Sequence, residues 1–145
     1  MFLFAAASFF SLMAFAQKAD DVLKVNAEKI ELGKVKQGVP VTTFFELKNI
    51  GNKPIVVEDV RASCGCTKPE KPADPILPGQ SYKLKVEYNA AAMGRFEKDV
   101  TIVIAGVELP KIVKIAGEVV TAEAFDAYTR EKEKEKSKSN GKSGK

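Results

Sequence analysis

Ser81-Tyr82-Lys83-Leu84-Lys85-Val86-Glu87-Tyr88 carries an apolar side chain at every even position and a polar or charged one at every odd position. Successive Cβ atoms on a pleated chain point to opposite sides, so a period of two marks a strand with one face in a core and the other in water. Upstream, Val41, Thr43, Phe45 and Leu47 alternate with Thr42, Phe44, Glu46 and Lys48, and Phe44 leaves the outer face partly apolar. Downstream, Phe96, Val100, Ile102 and Ile104 share one parity, interrupted by Lys98. Fainter strand patterns run from Lys29 to Lys34, from Ile55 to Ala62 and from Glu108 to Val119. Pro110 cannot donate to a ladder, which marks the last of these as an edge or bulged strand. Gln37-Gly38 before Pro40, Gly51-Asn52-Lys53-Pro54 and Pro78-Gly79 supply turns, Ala105-Gly106 reads as a tight hairpin, and Asn89 to Met93 has room for a short helical turn. Six or seven short strands at this spacing predict a single all-β domain over residues 25–120, folded as an antiparallel β-sandwich.

The flanks are of other kinds. The first sixteen residues, from Met1 and Phe2 through Phe15 and Ala16, hold no charge, and the composition changes at Lys18. Ala14-Phe15-Ala16 has the small-x-small form that a signal peptidase accepts, so residues 1–16 read as a signal peptide cleaved after Ala16, although no Lys or Arg opens the segment. A membrane span takes about 20 apolar residues, more than this stretch offers. With no cysteine next to the cleavage point, the expected product is exported to the periplasm or secreted, without a transmembrane span. Beyond Val120, residues 121–145 form a charged tail in which Arg130-Glu131-Lys132-Glu133-Lys134-Glu135-Lys136 alternates in sign. Like charges at i,i+4 offset opposite charges at i,i+3, so the tail is expected to be a frayed helix passing into disorder, with a tether to an anionic envelope polymer as the alternative.

Composition excludes several classes of chemistry. The net charge of +4 comes from a lysine-rich tail and from lysines interleaved with acids along the strands; no basic stripe with interleaved aromatics points to nucleic acid. Without histidine, a histidine-based triad or acid–base pair is impossible. No glycine-rich phosphate loop occurs. Adjacent carboxylates such as Glu58 and Asp59 face opposite sides of a strand, so they read as solvent-facing or bulge residues. The chain is therefore expected to be no enzyme and to need no cofactor.

The two cysteines, Cys64 and Cys66, are separated only by Gly65. An exported protein normally oxidises such a pair, yet in an extended strand Cα atoms two residues apart lie roughly 6.5–7 Å from each other, at the limit of disulfide geometry. A bridge demands a bend, for which glycine's freedom is suited. Three readings stay open: an inert structural pair continuing the inward row of Val60 and Ala62, a redox-labile disulfide, or a two-thiolate Cu(I) site whose thiolates Arg61 and Lys68 favour and Glu70 opposes. A closed zinc site lacks ligands, and no metal site is assigned.

Asn49-Ile50-Gly51-Asn52-Lys53-Pro54-Ile55-Val56, then Val60-Arg61-Ala62-Ser63-Cys64-Gly65-Cys66-Thr67 with Pro69, and Ile76-Leu77-Pro78-Gly79 resemble the exported bacterial family called domain of unknown function 1573. Ile30-Glu31-Leu32-Gly33-Lys34-Val35 and Ile115-Ala116-Gly117-Glu118-Val119 resemble its opening and closing strands. The resemblance implies an immunoglobulin-like sandwich of about seven strands, similar to Hydin and major-sperm-protein type domains, and no established activity. The expected function is an exported, non-enzymatic binding or structural module of the bacterial cell envelope, its partner another envelope protein or a surface polymer. The alternative is a thiol-based redox or Cu(I)-binding protein using Cys64 and Cys66.

Overall fold

A computed structural model describes residues 17–140; the signal segment assigned to residues 1–16 lies outside them. Eight strands follow a short 3-10 turn, Ala19–Asp21: β1 (Leu23–Val25), β2 (Lys29–Lys36), β3 (Val41–Asn49), β4 (Val57–Ala62), β5 (Thr67–Pro69), β6 (Ser81–Tyr88), β7 (Gly94–Ile104) and β8 (Lys111–Val120). They form two four-stranded sheets of order β1-β3-β6-β5 and β2-β8-β7-β4. The chain is thus an immunoglobulin-like β-sandwich. Its core is the apolar parity of the sequence: Phe45, Leu47, Leu84 and Val86 from one sheet join Val100, Ile102, Val113 and Ile115 from the other in a single buried cluster.

Several expectations are corrected. The sandwich is not wholly antiparallel, because β2 pairs with β8 in parallel. Such a pairing leaves no mark on side-chain alternation. β8 is not an edge strand: it lies between β2 and β7, and Pro110 stands just before its first residue, where no ladder bond is asked of it. β1 and β5, three residues each, are too short to show a period. Asn89 to Met93 makes no helix, and Ala90 there takes a left-handed backbone angle, φ 51°. In the tail, Ala122–Asn140 is an α-helix, α1, where a frayed helix was expected; the part of the expected disorder that falls on residues 141–145 lies outside the described residues. Thr121 caps it, its Oγ1 accepting from the Ala124 amide at 3.3 Å. Helix packing supplies what the charge pattern withheld: Phe125 and Tyr128 are half-buried, α1 rests on β2, and the ammonium groups of Lys34 and Lys132 lie 5.5 and 5.9 Å from the Tyr128 ring centre.

Two glycines shape the parallel pair. The β2–β8 register shifts between Glu31 and Lys34, where Gly33 holds φ +70°. A Cβ on Gly117 would stand 2.8 Å from the Gly33 carbonyl oxygen and 2.9 Å from Phe96 Cζ, so backbone and ring approach where only hydrogen fits.

On the outer face of the second sheet the interleaved charges pair off. Lys29 meets Glu97 at 2.8 Å, and Lys114 meets Asp99 at 2.7 Å and Glu97 at 3.2 Å. The hydrogen bond from Lys29, then that from Lys114, holds the Glu97 carboxyl below its ordinary pKa. Lys111 is buried against Asp20 (2.6 Å) and Glu28 (2.7 Å). Burial alone would lower its pKa, but the two carboxylates outweigh burial and the net shift is upward.

Two outcomes follow from this packing. Phe45 is 0% exposed and its neighbour Phe44 is 50% exposed. Phe45→Ala is expected to cost about 3–5 kcal/mol in urea unfolding, and Phe44→Ala under about 1 kcal/mol; equal costs would contradict the assigned faces. Glu97, with its lowered folded pKa, contributes stability that is complete above the ordinary carboxylate range and lost as pH falls through the folded value. The urea midpoint of the parent should therefore fall more steeply on acidification below about pH 5 than that of Glu97→Gln.

Candidate functional site

The chain leaves one sheet at Ala62, the end of β4, and enters the other at Thr67, the start of β5. Ser63-Cys64-Gly65-Cys66 is the turn that makes this crossing, and its sulfurs are joined as a disulfide. The Cα atoms of Cys64 and Cys66 stand 5.3 Å apart, closer than an extended strand allows, because the segment is bent. The bend does not come from special glycine angles. Gly65 is absent from the residues with positive φ, and nothing lies within 4 Å of where its Cβ would be.

Neighbouring strands anchor both ends of the turn. The Ser63 amide donates to the Asp99 carbonyl at 2.9 Å, and the Asp99 amide donates back to Ser63 Oγ at 3.1 Å. The Thr67 amide donates to the Cys64 carbonyl at 3.3 Å, and the Asn89 amide to the Cys66 carbonyl at 2.9 Å. Beneath the turn Tyr88 stacks on Phe96 with ring centres 4.1 Å apart, tying the two sheets together. Both cysteines are half-buried, and Cys66 packs against the core. The inward row that begins at Val60 and Ala62 therefore reaches Cys66, but through a turn rather than a continuing strand.

Sequence reasoning assigned no role to Thr67. It is only 4% exposed, and its Oγ1 lies 3.7 Å from Cys64 Sγ and 3.9 Å from Cys66 Sγ. A bridged sulfur carries no proton, so the threonine hydroxyl is the donor. Arg61, read as a partner for thiolates, is engaged instead by Asp59 at 2.7 Å. Glu70 is paired with Lys85 at 2.7 Å. Glu58 is exposed and falls in the register shift of β4 against β7 between Val57 and Asp59, as a solvent-facing or bulge residue would, while Asp59 pairs with Val103.

Two further loops share this end of the sandwich. The Gly38 amide of the β2–β3 connection donates to the Ala90 carbonyl at 2.9 Å, and Gln37 Nε2 donates to the Ala91 carbonyl at 3.3 Å. The β2–β3, β4–β5 and β6–β7 connections are thus linked by hydrogen bonds through residues 37–38, 66 and 89–91. Val39 and Met93, at the margins of this platform, are each 50% exposed. At the opposite end the Asn49 side chain, fully buried, donates to the carbonyls of Lys53 (2.8 Å) and Ile76 (2.7 Å) and accepts from the Gly51 amide (2.9 Å). The Asn49-Ile50-Gly51-Asn52 run is a structural knot. Among the described residues, no helix is long and apolar enough to cross a membrane, and no cluster of three or more Cys, Asp or Glu residues is arranged to hold a metal ion.

Fold and turn together define an immunoglobulin-like domain with a bridged Cys-Gly-Cys at a sheet-to-sheet crossing. The chain belongs to the family described as protein of unknown function (DUF1573), whose model matches residues 23–119. No curated protein matches the sequence. Among solved structures, a protein of unknown function from Porphyromonas gingivalis W83 is similar with TM-score 0.58 and 17% identity, over 77% of this chain and 51% of that one. This chain therefore spans about half the length of that relative. A PapD-like domain of human CEP192 gives TM-score 0.60 and 9% identity over 83% and 99% of the two chains. The Vibrio cholerae VesB protease gives 0.54 and 14% over 70% and 33%. At these identities the likeness is one of fold.

A bridge closing so small a loop removes little chain entropy, roughly 1.5 kcal/mol by the loop-closure relation. Gly65→Ala is expected to leave the disulfide intact and to be neutral or stabilising by up to about 1 kcal/mol, since its backbone angle suits alanine and the unfolded chain loses freedom. Urea unfolding with a free-thiol count checks this. Loss of the bridge in the alanine variant would show that glycine is required after all.

Proposed function

We propose that this protein is an exported, non-enzymatic binding or structural module of the bacterial cell envelope, and that its partner is another envelope protein or a surface polymer. One observation carries the proposal: three connections at one end of a rigid sandwich are tied together by backbone hydrogen bonds and leave Val39 and Met93 half exposed. Loops fixed on a rigid scaffold pay little ordering entropy on binding, and apolar side chains at their margin gain by being covered. Family membership and a PapD-like likeness support a module of this kind.

A second reading, thiol exchange at Cys64 and Cys66, is favoured by the position of the bridge. It lies half-buried in a terminal turn and closes too few residues to be needed for the fold. Cu(I) capture by the reduced pair is the variant of this reading that two thiolates permit.

Photo-crosslinkers placed at Val39 or Met93 of the full-length protein in bacterial cells test the binding role. The expected result is one discrete adduct from both positions, in an envelope fraction, on a chain whose mass begins at Gln17. Adducts from Phe44 alone would move the interface to the sheet face. No adduct at any position, or a cytosolic chain retaining residues 1–16, would overturn the proposal.

A further inference from the structure

We propose that Thr67 tunes the sulfur pair, its hydroxyl acting as a hydrogen-bond donor that stabilises the thiolate formed when the Cys64–Cys66 bridge is opened. The inference rests on the thiol-exchange reading and extends it to a positioning residue. The hydroxyl is buried and sits within 4 Å of both sulfurs. A bridged sulfur is a weak acceptor, so in the oxidised protein a buried donor is spent on poor partners. A thiolate is a charged and much stronger acceptor, and hydrogen bonds to ionised groups are shorter and stronger than neutral ones. The same hydroxyl, held in place by the turn, therefore gains most when a sulfur becomes negative. The Thr67 amide bonded to the Cys64 carbonyl and the Asn89 amide bonded to the Cys66 carbonyl fix the backbone on both sides of the pair, so the donor already stands beside both sulfurs before the bridge is opened.

The step is a two-electron exchange with a partner dithiol. A thiolate of the partner attacks one sulfur; the Cys64–Cys66 bond breaks, a mixed disulfide forms, and the other cysteine leaves as a thiolate carrying the electron pair. That leaving thiolate is the species Thr67 stabilises. The partner's second thiol, on losing its proton, then attacks the mixed disulfide and releases the remaining cysteine. The partner ends as a disulfide, and Cys64 and Cys66 as two thiols. A lower thiol pKa makes the leaving group better and favours the reduced pair.

Thr67→Val keeps the shape and removes the donor; Thr67→Ser keeps the donor. Purified full-length protein is equilibrated with glutathione buffers of graded ratio, the thiols are trapped and counted by mass, and the pH profile of alkylation is taken on the fully reduced pair. Thr67→Val is expected to shift the glutathione equilibrium about tenfold toward the disulfide, ~30 mV, and to move the alkylation profile to higher pH, while Thr67→Ser restores both. Thr67→Ala takes the place of the valine if that variant fails a urea-unfolding check. Unchanged midpoints and profiles in the donor-free variant, or failure of serine to restore them, would overturn the inference. A parent that stays oxidised in every buffer defeats the exchange reading alone, because the alkylation profile of the chemically reduced pair still reports on Thr67.

Discussion

Everything in this molecule depends on two apolar sheet faces being closed on one another. Phe45, Leu47, Leu84 and Val86 have no use except against Val100, Ile102, Val113 and Ile115, and all are at 0% exposure. Chain crossings have to be made at the rims of that dry layer, where each crossing must satisfy its own backbone groups. The β4–β5 turn does so with amides and carbonyls of Asp99 and Asn89, and the far end does so with the buried Asn49 amide. The bridged cysteines belong to this rim, so their surroundings are as firmly held as the core they cap.

How much of this was legible in the sequence varies with the physics of each element. β3, β6 and β7 are long, with one face wet, and alternation placed them within a residue or two. β8 is long as well, yet its centre, Ile115-Ala116-Gly117, is continuously buried because strands flank it on both sides and β2 crowds its backbone. Its parallel partner left no trace in a pattern that records faces and not directions. β1 and β5 contain too few residues for any period. In the tail, i,i+3 and i,i+4 charge arithmetic was sound for an isolated helix, but Tyr128 meets Gly33 and Lys34 of β2, and tertiary contact decides what local energetics leaves balanced.

The site was legible in its chemistry and less so in its geometry. Cys64 and Cys66 announced a bend, and a bend is there. Gly65, however, bends without leaving the ordinary backbone region, and Arg61 is committed to Asp59. Thr67 stood in the motif as the residue after the second cysteine. Its importance comes from a hydroxyl folded inward beneath both sulfurs, which no one-dimensional spacing reveals. By the even parity of Val60, Ala62, Cys64 and Cys66 it would face outward; the turn at 63–66 shifts the parity, so that Thr67 rather than Lys68 is buried in β5.

The parallel neighbours β2 and β8 are the first long strand and the last strand of the domain, with Lys29 opposite Lys114 and Lys36 opposite Val120. Tension applied between the two ends of the sandwich draws these strands past each other along their length, so the rungs between them are loaded together rather than opened one at a time. The bridged turn between β4 and β5 stands outside this pair of strands.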